Sequence, residues 1–500
     1  MSIDEQQRID VSRAFRVEAH GTDFIPDSER WAKPRDLFGM WAGASFQVEY
    51  FVYGVVLMTF GLSFAQAAVI TILGNLSYVL LGIASLQGPE TGTTVFAINR
   101  ASYGPQGSRM LSLFNWLTQV GFETEGLILV VFAGEALAIK AGFLPGTTLK
   151  VVFIAIAALL QFILPFLGHA TIVKSLRALI APFIVLYTIL AALTLGKVNV
   201  HLVHTGGNWE TFMGGLAFVI VLSGLGWTEC GNDYSRYLPA NSSKKAIVGW
   251  VFLGTALPEI LVMLLGCAVG TYATALSQNS SGDPFAAFTS SHNTVFASGF
   301  VVPFLILAIL QLFSINSLDL YSSGVTLQAL GVRVKRWQAV FVDTVICSGL
   351  TVYAIFDSSF STLLKDFVDV LVIWIAPWCA IFLVDWVLRR RYSPENLQRT
   401  DSTSIYWRSG GIHWPAILAQ LIGMLAAIEC LAATFSLPKW LHIVNYHFGG
   451  NPTPAYGADF SVFAGMFVGG FVYLVLAGAK VRREGEAEGA STKESVGSSS

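Results

Sequence analysis

Long apolar runs alternate with short polar joints from residue 36 almost to the end of the chain. A bilayer core takes about 20 mostly apolar residues of helix. Twelve runs reach that length: 36–60, 64–86, 110–138, 149–167, 172–195, 212–238, 246–273, 298–325, 338–356, 361–388, 414–434 and 459–479. They are too long and continuous for barrel strands, which are short and alternate polar with apolar. The pattern predicts an all-α integral membrane protein, with twelve transmembrane helices forming one domain over 36–479. A cytoplasmic N-terminal segment, 1–35, precedes it. A disordered cytoplasmic tail, 480–500, follows, because the sequence from Glu484 onward is small and polar. The opening residues hold no short apolar core with a small-residue cleavage site, so no signal peptide is expected.

Two runs are interrupted at matching places. Span 1 reads Trp41-Ala-Gly-Ala-Ser-Phe-Gln-Val-Glu-Tyr50, and span 6 reads Leu222-Ser-Gly-Leu-Gly-Trp-Thr-Glu-Cys-Gly-Asn-Asp233. Each sets small residues inside an apolar run and follows them with aromatic and polar groups. Spans 1 and 6 would be equivalent members of two five-helix repeats, and broken helices at equivalent positions point to a transporter's binding site. Unwound backbone is tolerated at that depth where it faces a cavity. The plainer alternative is that the glycines permit close helix packing.

Composition narrows the class further. Of 500 residues, 54% are apolar and 12% charged, against roughly 25% charged in soluble domains. With 30 basic and 32 acidic residues, the net charge of −2 offers nothing to a nucleic acid; the bilayer is the expected macroscopic partner. The five cysteines (Cys230, Cys267, Cys347, Cys379, Cys430) stand singly in apolar stretches, as buried hydrophobes do, and neither a disulfide framework nor a zinc site is expected. No cofactor and no metal is predicted.

The charges are segregated. With the N-terminus in the cytoplasm and twelve crossings, 25 of the 30 Lys and Arg fall on the cytoplasmic side, among them Arg30, Lys33, Arg35, Arg389–Arg391, Arg482 and Arg483. This is the positive-inside pattern, and it predicts a multi-pass protein of the plasma (inner) membrane with both ends inside. The mid-span charges are all acidic: Glu49, Glu123, Glu125, Glu229, Glu259, Asp319 and Glu429. Buried charges in a membrane are functional candidates, and a carboxylate without a base binds a cation or takes a proton. Glu123 and Glu125, two apart on a helix, are roughly 200° apart around its axis, so only one faces a narrow site directly, and the sequence leaves open which. Asp233 and Arg236 fit a gate or a structural pair. Phe122 and Trp227 follow Gly121 and Gly226 in spans 3 and 6 and are candidates to stack on a planar ring.

The stretch Gly224-Leu-Gly-Trp-Thr-Glu-Cys-Gly-Asn-Asp-Tyr-Ser-Arg-Tyr-Leu-Pro239 resembles the signature of the purine–cytosine permease branch of the nucleobase–cation symporter family. Gly88-Pro89, Gly92, Arg100, Tyr103-Gly104 and Gly107 fit in order and spacing, as do Asn316 and Leu320-Tyr-Ser-Ser323. The resemblance runs from about residue 16 to 480. It implies a LeuT-like 5+5 inverted repeat plus two extra helices, carrying nucleobases or related planar heterocycles with protons or sodium. Carried over by position, substrate binding falls on Gln47, Phe122, Glu123, Glu125, Gly226, Trp227, Asn316 and Asp319. The usual amide in span 3 is replaced by Gly126. A sodium site would use the carbonyls of Gly43 and Phe46 and the hydroxyl of Ser314, with Glu49 as a further coupling group. Its second hydroxyl position is Ile315, which favours protons.

The expectation is thus an importer of purine or pyrimidine bases by proton symport. The alternative is a symporter on the same fold for allantoin, hydantoin, vitamin or amino-acid-like compounds, with sodium as the other ion. An enzyme is not expected, since the eight histidines form no ligand pair on one helix; His201 and His204 fall in a short outer loop.

Overall fold

A computed structural model describes residues 24–163, 169–198, 206–271, 283–285, 288, 298–332, 336–432 and 457–497. The N-terminal residues up to 23 and His201, His204, His292, His442 and His447 lie outside the described residues. Most of the described part of every apolar run is helical. Among the described residues, seven helical stretches are long and apolar enough to cross a membrane, and four shorter apolar helices accompany them.

Span 1 is two helices, α1 (Pro34–Ser45) and α2 (Val48–Met58). Span 2 is α3 (Phe64–Asn75) followed by α4 (Tyr78–Ala84). After a short buried helix, α5 (Val95–Tyr103), come α6 (Pro105–Lys140), α7 (Thr147–Ile163) and α8 (His169–Thr194). Span 6 starts as α9 (Trp209–Ile220) and then loses regularity. The remainder is α10 (Lys244–Gly270), α11 (Ser298–Leu330), α12 (Arg336–Phe356), α13 (Phe360–Arg389), α14 (Trp414–Glu429) and α15 (Ser461–Gly497). Glu429, expected mid-span, closes its helix.

Packing sorts these helices into groups. α10 lies along both halves of span 1, α11 along α6, and α13, α14 and α15 pack on one another. Small residues permit the closest approaches. A side chain at Gly54 would strike the backbone of α10 at Met263, and one at Gly266 would strike Phe51 of α2. Outward faces are apolar, with Leu253, Leu257 and Leu261 on α10 and Phe463, Phe467 and Phe471 on α15 exposed. Apolar faces of that extent are stable against lipid and not against water. Trp209, Trp250, Trp337 and Trp414, near helix ends, are exposed as well, as interfacial tryptophans are.

The tail departs from the expectation of disorder. α15 continues through Glu484 to Gly497. The physical reason lies elsewhere in the chain: Arg389 binds Glu484 at 3.0 Å and Glu488 at 3.4 Å, and Arg408 also pairs with Glu484. Arg389 holds Asp385 through two bonds of 3.0 and 3.1 Å, and Tyr473 donates to Asp385 at 2.6 Å. Both arginines reach the carbonyl of Ala101 near the end of α5, at 3.3 and 3.0 Å. Acidic residues that look solvated in sequence are here the counter-charges of two buried guanidinium groups.

Candidate functional site

The break in span 1 comes directly after Gly43-Ala-Ser45, which ends α1 with little side-chain bulk to hold the helix in register. The Phe46 amide still bonds back to Ala42 at 2.9 Å, and Gln47 then adopts an extended conformation (φ −132°, ψ 165°) before α2 begins. Such a break frees backbone groups that cannot stay unpaired in a membrane. Gln311 of α11 takes two of them. Its Nε2 donates to the Phe46 carbonyl at 2.5 Å, and its Oε1 accepts from the Val48 amide at 2.9 Å. No motif marks this residue, since a lone glutamine in an apolar helix announces no partner 265 residues away. Gln47 itself is 1% exposed, yet neither atom of its side-chain amide finds a partner among the described residues.

Span 6 breaks where its small residues lie. Ser223 leaves the helical region (φ −97°, ψ −122°) within a wide turn over Val221–Leu225. The Gly224 amide donates to Ser77 Oγ at 3.0 Å. Any side chain on Gly224 would run into the Ser77 and Tyr78 backbone, so glycine is required by the close approach. Gly226 brings the break up to Phe122 of α6, whose ring end would lie 3.8 Å from a Cβ at that position. Phe122 also packs edge-on against Phe367, centroids 5.0 Å apart. Trp227 stands edge-on to Trp41 at 5.6 Å, and its indole donates to the Tyr50 hydroxyl at 2.8 Å.

The two glutamates of span 3 separate, as their spacing requires. Glu125 turns toward span 1, where Tyr53 donates to its Oε2 at 3.0 Å; its Oε1 has no partner among the described residues. Glu123 turns toward α12, where Cys347 donates to it at 3.5 Å. Glu49, Glu125 and Asp319, from spans 1, 3 and 8, lie close enough for their charges to act on one another. Asn316 donates to the Glu123 carbonyl at 3.2 Å and to Gln161 at 2.9 Å, and its Oδ1 is without a partner among the described residues. Gly126 gives it room, since a Cβ there would come within 2.9 Å of that oxygen. Glu229 sits with Gln119, which donates to it.

Two of the groups expected around sodium also make bonds within the protein. Gln311 holds the Phe46 carbonyl, and Ser314 donates to Leu310 within its own helix at 2.8 Å. Ile315 is buried, and Gly43 lies within α1. Among the described residues, no group of three or more His, Cys, Asp or Glu side chains is placed to hold a metal ion. Asp233 accepts from the Val95 amide at 3.4 Å, where a carboxylate suits the first turn of α5. Arg236 is buried and lies over the Tyr237 ring, 5.2 Å from its centroid.

Tyr50, Tyr53 and Tyr78 were not singled out in the sequence. Tyr50 and Tyr53, three apart within α2, share one face of that helix, and this spacing is the signal that points to them.

Residues 24–450 match the family described as permeases for cytosine/purines, uracil, thiamine and allantoin. The chain is 24% identical over 483 residues to the putative purine-cytosine permease YxlA of Bacillus subtilis, covering 94% of this chain and 98% of that protein. It is 27% identical over 403 residues to the purine-cytosine permease fcyB of Emericella nidulans, covering 77% and 76%. Among solved structures, Mhp1, a nucleobase-cation-symport-1 family transporter in a closed conformation with bromovinylhydantoin bound, superposes with a TM-score of 0.71 at 18% identity, over 94% of this chain and 96% of that one. Its inward-facing conformation gives 0.67 at 17% identity, over 92% and 94%. Likeness at that identity is a likeness of fold.

Proposed function

We infer that this chain, which belongs to the family of permeases for cytosine/purines, uracil, thiamine and allantoin, is a twelve-helix importer that carries a purine or pyrimidine base inward with a proton. The observation that carries the reading is the buried Gln47 amide, a donor and an acceptor at a helix break with no partner among the described residues. The edge of a nucleobase presents donors and acceptors side by side, and a primary amide meets them with two parallel bonds. The free oxygen of Glu125 suits a ring N–H, and the Asn316 oxygen suits another donor. Phe122 and Trp227 supply aromatic faces from spans 3 and 6. The bases set against the site's acids are absent from the centres of the spans, and a carboxyl takes a proton with no further ligand. Ile315, which puts an apolar side chain at the second hydroxyl position, weighs against sodium. Closing of the site around the base then permits one helix bundle to rock against the other.

The second reading is an allantoin- or hydantoin-like substrate, whose ring also carries N–H and C=O groups on one edge; it draws on the bromovinylhydantoin bound in the Mhp1 structure. Uptake of labelled cytosine, hypoxanthine and allantoin by cells lacking their own carriers separates the two. A protonophore is expected to abolish accumulation, and sodium removal to leave it intact. No uptake of any of the three by well-expressed protein overturns the substrate reading, and accumulation that survives the protonophore but needs sodium overturns the proton.

A further inference from the structure

Glu259 has no role in the substrate site, yet it is fully buried in the middle of α10, directly after Pro258. Tyr78 of α4 donates to one of its oxygens and Ser223, at the break in span 6, donates to the other. Tyr78 lies 3.3 Å from the Tyr50 hydroxyl, and Tyr50 accepts from the Trp227 indole at 2.8 Å. Ser223 and Trp227 belong to the same broken segment, so the bonds close a ring through spans 1, 2, 6 and 7. The charged or titratable groups that face this ring are Tyr50 and Tyr78 themselves and, through Tyr50, Glu49 and Tyr53, whose ring stands edge-on to that of Tyr50 at 5.5 Å; Asn75 of α3 is the neutral neighbour. On the α8 side, Tyr187 faces Glu49. No Lys, Arg or His among the described residues pairs with Glu259.

The ends of the ring fix its polarity. An indole N–H only donates and a carboxylate only accepts, so with Glu259 ionised the order is Trp227 to Tyr50 to Tyr78 to Glu259, each donating to the next. A proton from solution that forms an O–H bond on the Glu259 oxygen facing Tyr78 turns that bond round, because the acid O–H donates where the carboxylate oxygen accepted. The new O–H donates to Tyr78, the Tyr78 hydrogen turns to Tyr50, and the Tyr50 hydrogen is displaced toward the break in span 1. No other bond forms or breaks, and the charge gained by the protein is that of the proton.

We propose that Glu259 is the site that carries the coupled proton, and that the Tyr78–Tyr50–Trp227 relay reports its state to the substrate site. The proposal rests on the transport reading above and adds the carrier and its route. Reconstituted vesicles loaded with the full-length protein test it, using labelled cytosine and, in parallel, hypoxanthine. Glu259→Gln is expected to lose accumulation driven by a pH gradient while retaining exchange of labelled for unlabelled base at equal pH. Tyr78→Phe keeps the carboxyl and cuts the relay, and is expected to flatten the pH dependence of the half-saturation concentration for exchange. In infrared difference spectra taken across a pH titration without substrate, a carboxylic acid band is expected that Glu259→Gln removes. Gradient-driven accumulation by Glu259→Gln at the wild-type level overturns the proposal, as does loss of exchange together with accumulation in a folded variant. If Glu259→Gln does not fold, an unchanged pH profile in Tyr78→Phe overturns it. If the wild-type protein carries neither base, the transport reading has failed, and the infrared band decides the proton site by its presence or absence.

Discussion

The buried acids in the middle of the spans and those at the Arg389 end of the bundle keep different company. Asp385 is held by both edges of the Arg389 guanidinium and by Tyr473, and Glu484 and Glu488 close around the same arginine. In the middle, Glu125 has a tyrosine, Glu229 a glutamine, and Glu259 a tyrosine and a serine. An acid with a fixed counter-charge has little reason to change its proton, because its ionised form is the one the surroundings satisfy. An acid satisfied by neutral hydroxyls and amides tolerates either form, since those groups donate or accept by turning. The first arrangement holds a fold together and the second is free to work.

Breaking the paired set should cost most. Arg389→Met leaves Asp385 buried without its counter-charge, a loss of about 3–5 kcal/mol, and monodisperse protein in detergent is expected to fall sharply. The double variant Asp385→Asn with Arg389→Met is expected to recover much of it; no recovery would mean that the contacts to Glu484 and Ala101 matter more than the pair.

His413 tests the same region by pH. Its Nδ1 lies 2.7 Å from the Ser102 carbonyl and therefore carries the hydrogen. Burial, with help from the Arg408 charge, pushes its pKa down to about 4. The unfolded chain binds this proton near pH 6.5 and the folded one does not until about pH 4, so stability is full above neutrality and falls as the pH drops between those values. The whole loss is on the order of 3 kcal/mol, read as a falling thermal unfolding midpoint. His413→Gln keeps a donor for Ser102 and is expected to flatten that slope.

The smallest effect on stability belongs to the middle. Glu125→Gln still offers an oxygen to Tyr53, so the unfolding midpoint is expected to move by no more than about 1 kcal/mol equivalent, while base uptake falls. A destabilised Glu125→Gln with normal uptake would reverse the contrast between the two regions.

What the sequence made legible follows from how far each partner lies along the chain. The breaks at Phe46–Gln47 and Ser223 were readable because small residues lie just before the first and within the second. The family signature marked Trp227 and Asn316 by local order. The separation of Glu123 from Glu125 followed from helical spacing alone, although which one faces span 1 needed Tyr53 to be placed. The strap made by Gln311, the ring around Glu259 and the helical tail all join residues that only folding brings together. Glu484 and Glu488 read as solvated because they lie in a small, polar stretch beside Lys480, Arg482 and Arg483; the arginines that bury them lie on α13 and in the segment before α14.

Gln311 has a mechanical consequence. Because one side chain grips the carbonyl on one side of the break and the amide on the other, the two rods of span 1 cannot pivot freely against each other while it holds. Their joint is clamped to α11, so a swing of either rod pulls on that helix as on a lever with a fixed fulcrum. Releasing the clamp would turn a stiff elbow into a loose one.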